Sequence, residues 1–394
     1  MSDKGMSRRA MLGGIAALGV TTGSGKALAA THTFSPVQRF FSDPYIELIR
    51  LLKEGVEIEH DLMVQYLYGA FSLKPTYATV VGAPAPNATS LMGVIVEEMR
   101  HLAAVNRLLV ELDAKPQLTR QDFPYETDAY PFPFEMAPLG QNSLAKFVYC
   151  EADKTRLKRA RSVVDDSYLI DKLKGTLGPN LVPNHVGNLY DAIIETILEV
   201  KKAGGVKLDY DAWYEGLGNI KADGEFGHFK FFQSLYEGAH PVLKEVPGVW
   251  SLPADDALYP CYQVPVNPTA YEGRPNTIKD PDMRSLAWLG NLNYWSQLLL
   301  LDQGYRRKSK TETALAQAIM MGPLYSIAQY LPTKGAAVPF DPLSMGFDPG
   351  INEAAGRRFT RRMLQETRDY ARKIDKLLPG NFDLRIYDQL MAAV

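Results

Sequence analysis

The sequence predicts an all-α fold built on a four-helix bundle. Three observations carry that expectation. Apolar residues recur three and four positions apart in long segments along the chain. No stretch sustains the strict alternation of a strand, and no tandem repeat is present. Two Glu-x-x-His pairs fall in the middle of otherwise apolar helical stripes, a pattern that suits a bundle with a buried cation.

The 394 residues are 46% hydrophobic and 22% charged, with a net charge of −2, so there is ample material for a sizeable core. No basic stripe with interleaved aromatics is present, which argues against a nucleic-acid partner. No apolar run reaches the ~18 residues of a membrane-spanning helix, so no span is expected in the mature chain. The two cysteines, Cys150 and Cys261, exclude a disulfide-dense scaffold and a thiolate zinc cluster, and they permit at most one bridge. No nucleophile elbow, phosphate loop or dinucleotide fingerprint occurs.

Residues 1–30 read as an export signal of the twin-arginine type. Lys4, Arg8 and Arg9 precede the weakly apolar stretch 10–20, and Ala27-Leu28-Ala29 offers a small-x-small cleavage site. That route carries folded proteins, often with a cofactor already inserted. It implies a periplasmic or otherwise exported location in a bacterium, with the export machinery as a partner in transit. Residues 31–394 are then one helical domain, with a bundle core at about 43–238 and a C-terminal helical extension at about 283–380.

Within the core, Asp43 as N-cap and Pro44 at the first helical position open a helix over 43–72. A second helix covers 89–113 and stops before Pro116. Residues 117–142, rich in Pro, Tyr and Phe, form an irregular connection. Helical patterns follow at 143–153, 186–203 and 222–237. The Pro- and Gly-rich stretch 239–282 is expected to wrap the surface, before helices near 283–303, 311–331 and 351–378.

The chemistry lies on the first helices. In helix 89–113, Glu98 and His101 share a stripe with Leu91, Val94, Ile95, Leu102 and Val105. Burying an unpaired carboxylate costs several kcal/mol, and a cation is the strongest partner it can find. Glu97 shares its face with Ser90 and Arg100 and is expected to belong to solvent. The same spacing recurs in Glu225-Phe226-Gly227-His228. A di-metal carboxylate bundle also needs one glutamate from each of two further helices. Glu59, on a stripe with Leu52, Val56, Leu62, Met63 and Tyr66, points inward. Glu57 and His60 form a third such pair, but Glu57 runs with Arg50, Lys53, Glu54 and Asp61 and is expected to face water. For the fourth position, Glu151 follows Leu144, Phe147 and Val148 on one face. Its rival, Glu195, lies opposite the apolar stripe of its own helix. The candidate metal set is therefore Glu59, Glu98, His101, Glu151 (rival Glu195), Glu225 and His228. Carboxylate and imidazole ligation without thiolate suits two iron or manganese ions, and zinc is also compatible. Tyr66, two turns from Glu59 on the same face, is the candidate for proton or electron transfer; packing with a hydrogen-bonded hydroxyl is its ordinary alternative.

These residues also resemble a known family. The run from Glu57 to Tyr68 is similar to the opening helix of the ferritin-like domain of iminophenyl-pyruvate dimer synthases, enzymes of the violacein and rebeccamycin pathways. So are Glu97-Glu98-Met99-Arg100-His101-Leu102, Phe147-Val148-Tyr149-Cys150-Glu151, the segment 186–193 and Glu225-Phe226-Gly227-His228-Phe229. The resemblance implies a ferritin-like bundle, favours Glu151 over Glu195, and implies the same metal-facing set. The expected function is a periplasmic metal-dependent oxidoreductase acting on a small aromatic or amino-acid-derived substrate, with room for a homo-oligomer. The alternatives are a metal-binding or storage protein without an organic substrate, or a structural subunit of a biosynthetic complex.

Overall fold

The computed structural model describes residues 37–82, 89–120, 130–153, 169–179, 186–342 and 352–394. The expected export signal lies outside them. Among the described residues there are helices and two isolated bridges but no strand.

Helix α1 (Pro44–Ser72) begins where the Asp43 carboxylate accepts from the amides of Tyr45 and Ile46. At 1.5 Å per residue it is about 43 Å long. From Glu54 to Ala70 every side chain is buried, so α1 is the central rod, covered on all sides. This corrects the expectation for Glu57, which is buried and accepts from Gln117 Nε2 at 2.7 Å. His60, also fully buried, meets the Tyr294 hydroxyl at 2.7 Å. The face that composition marks as wet is roofed by the C-terminal helices. Burial, with the Arg120 charge nearby, pushes the His60 imidazole down to about 3 and keeps it neutral.

Helix α2 (Leu91–Glu111) packs along α1, its first turn capped by the Ser90 hydroxyl on the Gly93 amide. The third rod is made of two pieces. Helix α3 (Gln141–Glu151) ends at Glu151, the chain departs through α4 (Leu169–Leu177), and it returns as α5 (Gly187–Ala203). The Val186 amide donates to the Cys150 carbonyl at 3.4 Å, so the second piece takes up one of the carbonyls left open by the end of the first. The fourth rod starts earlier than expected, as α6 (Tyr210–Ala222), crosses a π-helical segment (Asp223–His228) and continues as α7 (Phe229–Tyr236). Helix α5 packs on α6 and α3 on α7, so the third and fourth rods run antiparallel. In α6 only Leu217 and Ile220 are buried, and Gly216 and Gly218 interrupt the pattern, which explains why periodicity misses it.

The C-terminal layer centres on α8 (Pro281–Arg307), against which α9 (Lys310–Ile319), α10 (Tyr325–Tyr330) and α11 (Glu353–Lys373) pack; α12 (Arg385–Ala393) closes on α11. The 239–282 stretch is tied to the end of α1 through Lys74 N–H to Pro260 O and Tyr262 N–H to Ser72 O, both 2.8 Å. Cys150 and Cys261 are both buried and free, so no bridge joins them.

Candidate metal centre

Glu98 and His101 stand one turn apart on regular α-helix, held by fully buried Ile95 and nearly buried Leu102. Glu98 Oε2 lies 3.1 Å from His101 Nδ1, and Glu98 Oε1 lies 2.8 Å from His228 Nδ1. Glu59 Oε2 comes from α1 to within 3.7 Å of His101 Nδ1. Glu151 Oε1, at the end of α3, comes to within 3.7 Å of His228 Nδ1. Two buried triads result, Glu59–Glu98–His101 and Glu98–Glu151–His228, whose ligand atoms lie within 4.8 Å of one another in each. Glu98 belongs to both.

Each triad has the same supports. A tyrosine hydroxyl donates to each outer glutamate, Tyr190 to Glu59 and Tyr66 to Glu151 Oε1, the latter at 2.5 Å. Each imidazole turns its Nε2 to a carboxylate outside the cluster. His101 meets Asp223 Oδ2 at 3.4 Å, and His228 meets Glu97 Oε2 at 2.9 Å. A carboxylate at Nε2 accepts the N–H there and so directs Nδ1 into the cluster. Glu97 is thus no surface residue of indifferent role, as its face suggests; it orients His228.

The residues fit a pair of cations. Glu59 Oε2 and His228 Nδ1 are buried and make no hydrogen bond. His228 Nδ1 is close to Glu98 Oε1 without hydrogen-bond alignment, which is how two donors to a common ion stand. Without the ion, protons take its place. Burial, then the Glu98 charge, pushes the Glu59 carboxyl up to about 8. Burial works against ionised Glu98 too, but the His228 and His101 charges outweigh it and hold that carboxyl well below its usual range. Burial disfavours both imidazolium ions, yet Asp223 and Glu59 raise His101, and Glu98 and Glu151 raise His228, well above the usual value.

Glu225 lines the same cavity but joins neither triad. It sits on the π segment, whose i→i+5 pattern widens the turn and breaks the i, i+3 alignment that a regular helix would give it with His228. Its Oε1 lies 3.7 Å from Lys221 Nζ. Glu195, the rival for the fourth position, is exposed on α5 and does not line the cavity. Gly224 is where the π segment passes Glu151: a Cβ there would stand 2.7 Å from Glu151 Oε2. The cavity, about 340 Å³ including adjoining open space, is lined by Gly187 and Tyr190 of α5 and by Ile220 and Lys221 of α6 beside the cluster. Behind Glu151, to which Tyr66 donates, the rings of Tyr66, Phe147 and Phe232 pack on one another with centroids 4.6–5.2 Å apart. Nothing in the sequence singles out Asp223, Glu97 and Lys221 as functional, since all three lie on polar faces of their helices.

Residues 52–216 match the ferritin-like family. Over that stretch the bundle has the ferritin-like fold. Dichlorochromopyrrolate synthase from Lentzea aerocolonigenes is 26% identical to this chain over 352 residues, which cover 73% of this chain. The chain spans about a third of that relative's length, 34%. A solved ferritin-like protein from Caulobacter vibrioides superposes with a TM-score of 0.48 at 14% identity, covering 76% of this chain and 99% of that one. That match begins seven residues before Glu59 and ends before the π segment that carries His228.

Proposed function

We propose that this protein is a metal-dependent oxidoreductase. In this reading two iron ions occupy the triads, and the substrate is a small aromatic or amino-acid-derived molecule. The observation that carries the reading is Glu98, a buried carboxylate with one oxygen turned to each triad. Glu59, Glu98, His101, Glu151 and His228 would hold the metals, which when bound supply one-electron chemistry and activation of an oxidant. The chain's own groups do the rest. Tyr190 and Tyr66 fix the outer carboxylates through their hydroxyls. Asp223 and Glu97 hold the imidazole tautomers. The Tyr66–Phe147–Phe232 wall keeps water from one side of the site. The Tyr66 hydroxyl, bonded to Glu151, is placed to give or receive a proton. The similarity to a synthase supports an organic co-substrate. The twin arginines at Arg8 and Arg9 support export after folding, with the metals already loaded.

Metal analysis with a Mössbauer spectrum of the iron-loaded protein tests the reading. It expects two irons per chain and oxygen consumption that depends on an organic co-substrate. Iron uptake well beyond two per chain would instead make it a storage protein, and a protein that binds no metal would overturn the proposal.

A further inference from the structure

The triads use five of the six carboxylate and imidazole residues that line the cavity, and Glu225 is the sixth. Lys221 is one of its partners. Lys221 Nζ lies 2.5 Å from Asp191 Oδ1 on α5 and 3.7 Å from Glu225 Oε1 on the π segment. The ammonium therefore joins α5 to the π segment at the edge of the cavity lining, with a carboxylate on each side. Among the described residues it is the one Lys or Arg that lines the cavity. All three groups are largely shielded, with side-chain exposures of 24% for Lys221, 31% for Asp191 and 15% for Glu225, so solvent screens the contacts only in part. Glu225 follows Gly224 in a segment whose hydrogen-bond register already departs from the α-helix.

We propose that Lys221 is a positioning residue that holds Glu225 outside the metal-facing set, making Glu225 an exchangeable carboxylate whose release depends on the Lys221–Asp191 bridge. The inference rests on the two-metal reading above. Two substitutions move the latch in opposite directions. Lys221→Met releases Glu225 toward the triads. Asp191→Asn leaves the ammonium to Glu225 alone and holds it more firmly.

The test is Co²⁺ titration of the full-length protein, followed by calorimetry and by the visible ligand-field spectrum. Lys221→Met should tighten Co²⁺ binding about tenfold, within the range for groups that contact metal ligands, and should change the spectrum. Asp191→Asn should weaken binding, and Lys221→Arg should leave both readouts as in the parent. Removing a nearby positive charge would by itself favour a cation, so the decisive comparison is made with Glu225→Gln present. There, Lys221→Met should tighten binding clearly less than it does with Glu225 intact, leaving only the charge effect. An equal gain with and without Glu225→Gln, or an unchanged spectrum in Lys221→Met, overturns the latch while leaving the metal reading intact. A parent protein that takes up no Co²⁺ overturns both. Should the methionine variant fail to fold, Asp191→Asn is measured with and without Glu225→Gln: a weakening that shrinks when Glu225→Gln is present supports the latch, and an equal weakening in both backgrounds overturns it.

Discussion

The Glu-x-x-His spacing that marks Glu98 and His101 on α2 recurs as Glu225 and His228, and the two pairs behave differently. On α2 the helix is regular, and both side chains reach the cluster. On the fourth rod the helix is π-wound over Asp223–His228; the imidazole reaches the cluster, but the carboxylate turns to Lys221. The carboxylate that faces His228 comes instead from Glu151, the last residue of α3. One triad stands on unbroken helix, the other on two helix discontinuities. A spacing rule locates ligands only where the backbone keeps the period on which the rule depends.

The comparison can be broken most severely at the shared residue. Glu98→Ala should empty both triads and lower metal content from two per chain to near none, as read by elemental analysis. Glu59→Ala should empty only the triad on regular helix and leave about half the metal. Equal losses in the two variants would show that the triads do not bind as separate halves.

Gly224→Ala acts on the other triad. Its Cβ meets Glu151 Oε2 at 2.7 Å, so either the carboxylate or the π segment must shift. The variant should lose metal from that triad and about 1–3 kcal/mol of stability, measured by urea unfolding. Loss of metal equal to that of Glu98→Ala would argue against independent halves.

A pH series separates the carboxylates without metal. Glu59 folds with its carboxyl raised from 4.5 to about 8, so the folded chain binds more protons than the unfolded one between those values. Stability of the chelator-treated parent should therefore fall, relative to Glu59→Gln, as pH rises from 4.5 to 8. The loss is at most about 1.4 kcal/mol per pH unit and levels off above the folded value. Parallel unfolding midpoints for the two proteins across that range would contradict the assignment. The smallest effects belong to the outer supports. Glu97→Gln and Asp223→Asn should each weaken Co²⁺ binding about tenfold. Glu195→Gln, on the exposed side of α5, should leave the calorimetric isotherm unchanged.

Much of this is legible in the chain itself. The stripe through Leu91, Ile95 and Leu102 turns Glu98 and His101 inward, the stripe around Glu59 does the same on α1, and both readings depend only on regular helix. The preference for Glu151 over Glu195 follows from which face of each helix is oily. What stays hidden depends on tertiary cover or on altered winding. Glu57 looks wet until Gln117 meets it, and its neighbour His60 is covered by Tyr294 of α8. Tyr210–Ala222 conceals its helix behind two glycines and a thin apolar face. Lys221, Asp223 and Glu97 are polar residues in polar company, and only the meeting of separate rods gives them a task.

The join between α3 and α5 has an evolutionary and practical consequence. Residues 150 and 186 meet in a single amide-to-carbonyl contact, so the chain leaves and rejoins the rod at nearly one point in space. Lengthening, shortening or swapping such an excursion changes its closure entropy only slowly with length. Helix α4 must stay, because its buried Leu169, Ile170 and Leu173 belong to the packing on α3. With α4 kept, an engineer could graft foreign sequence beside it and still find Glu151 at its post.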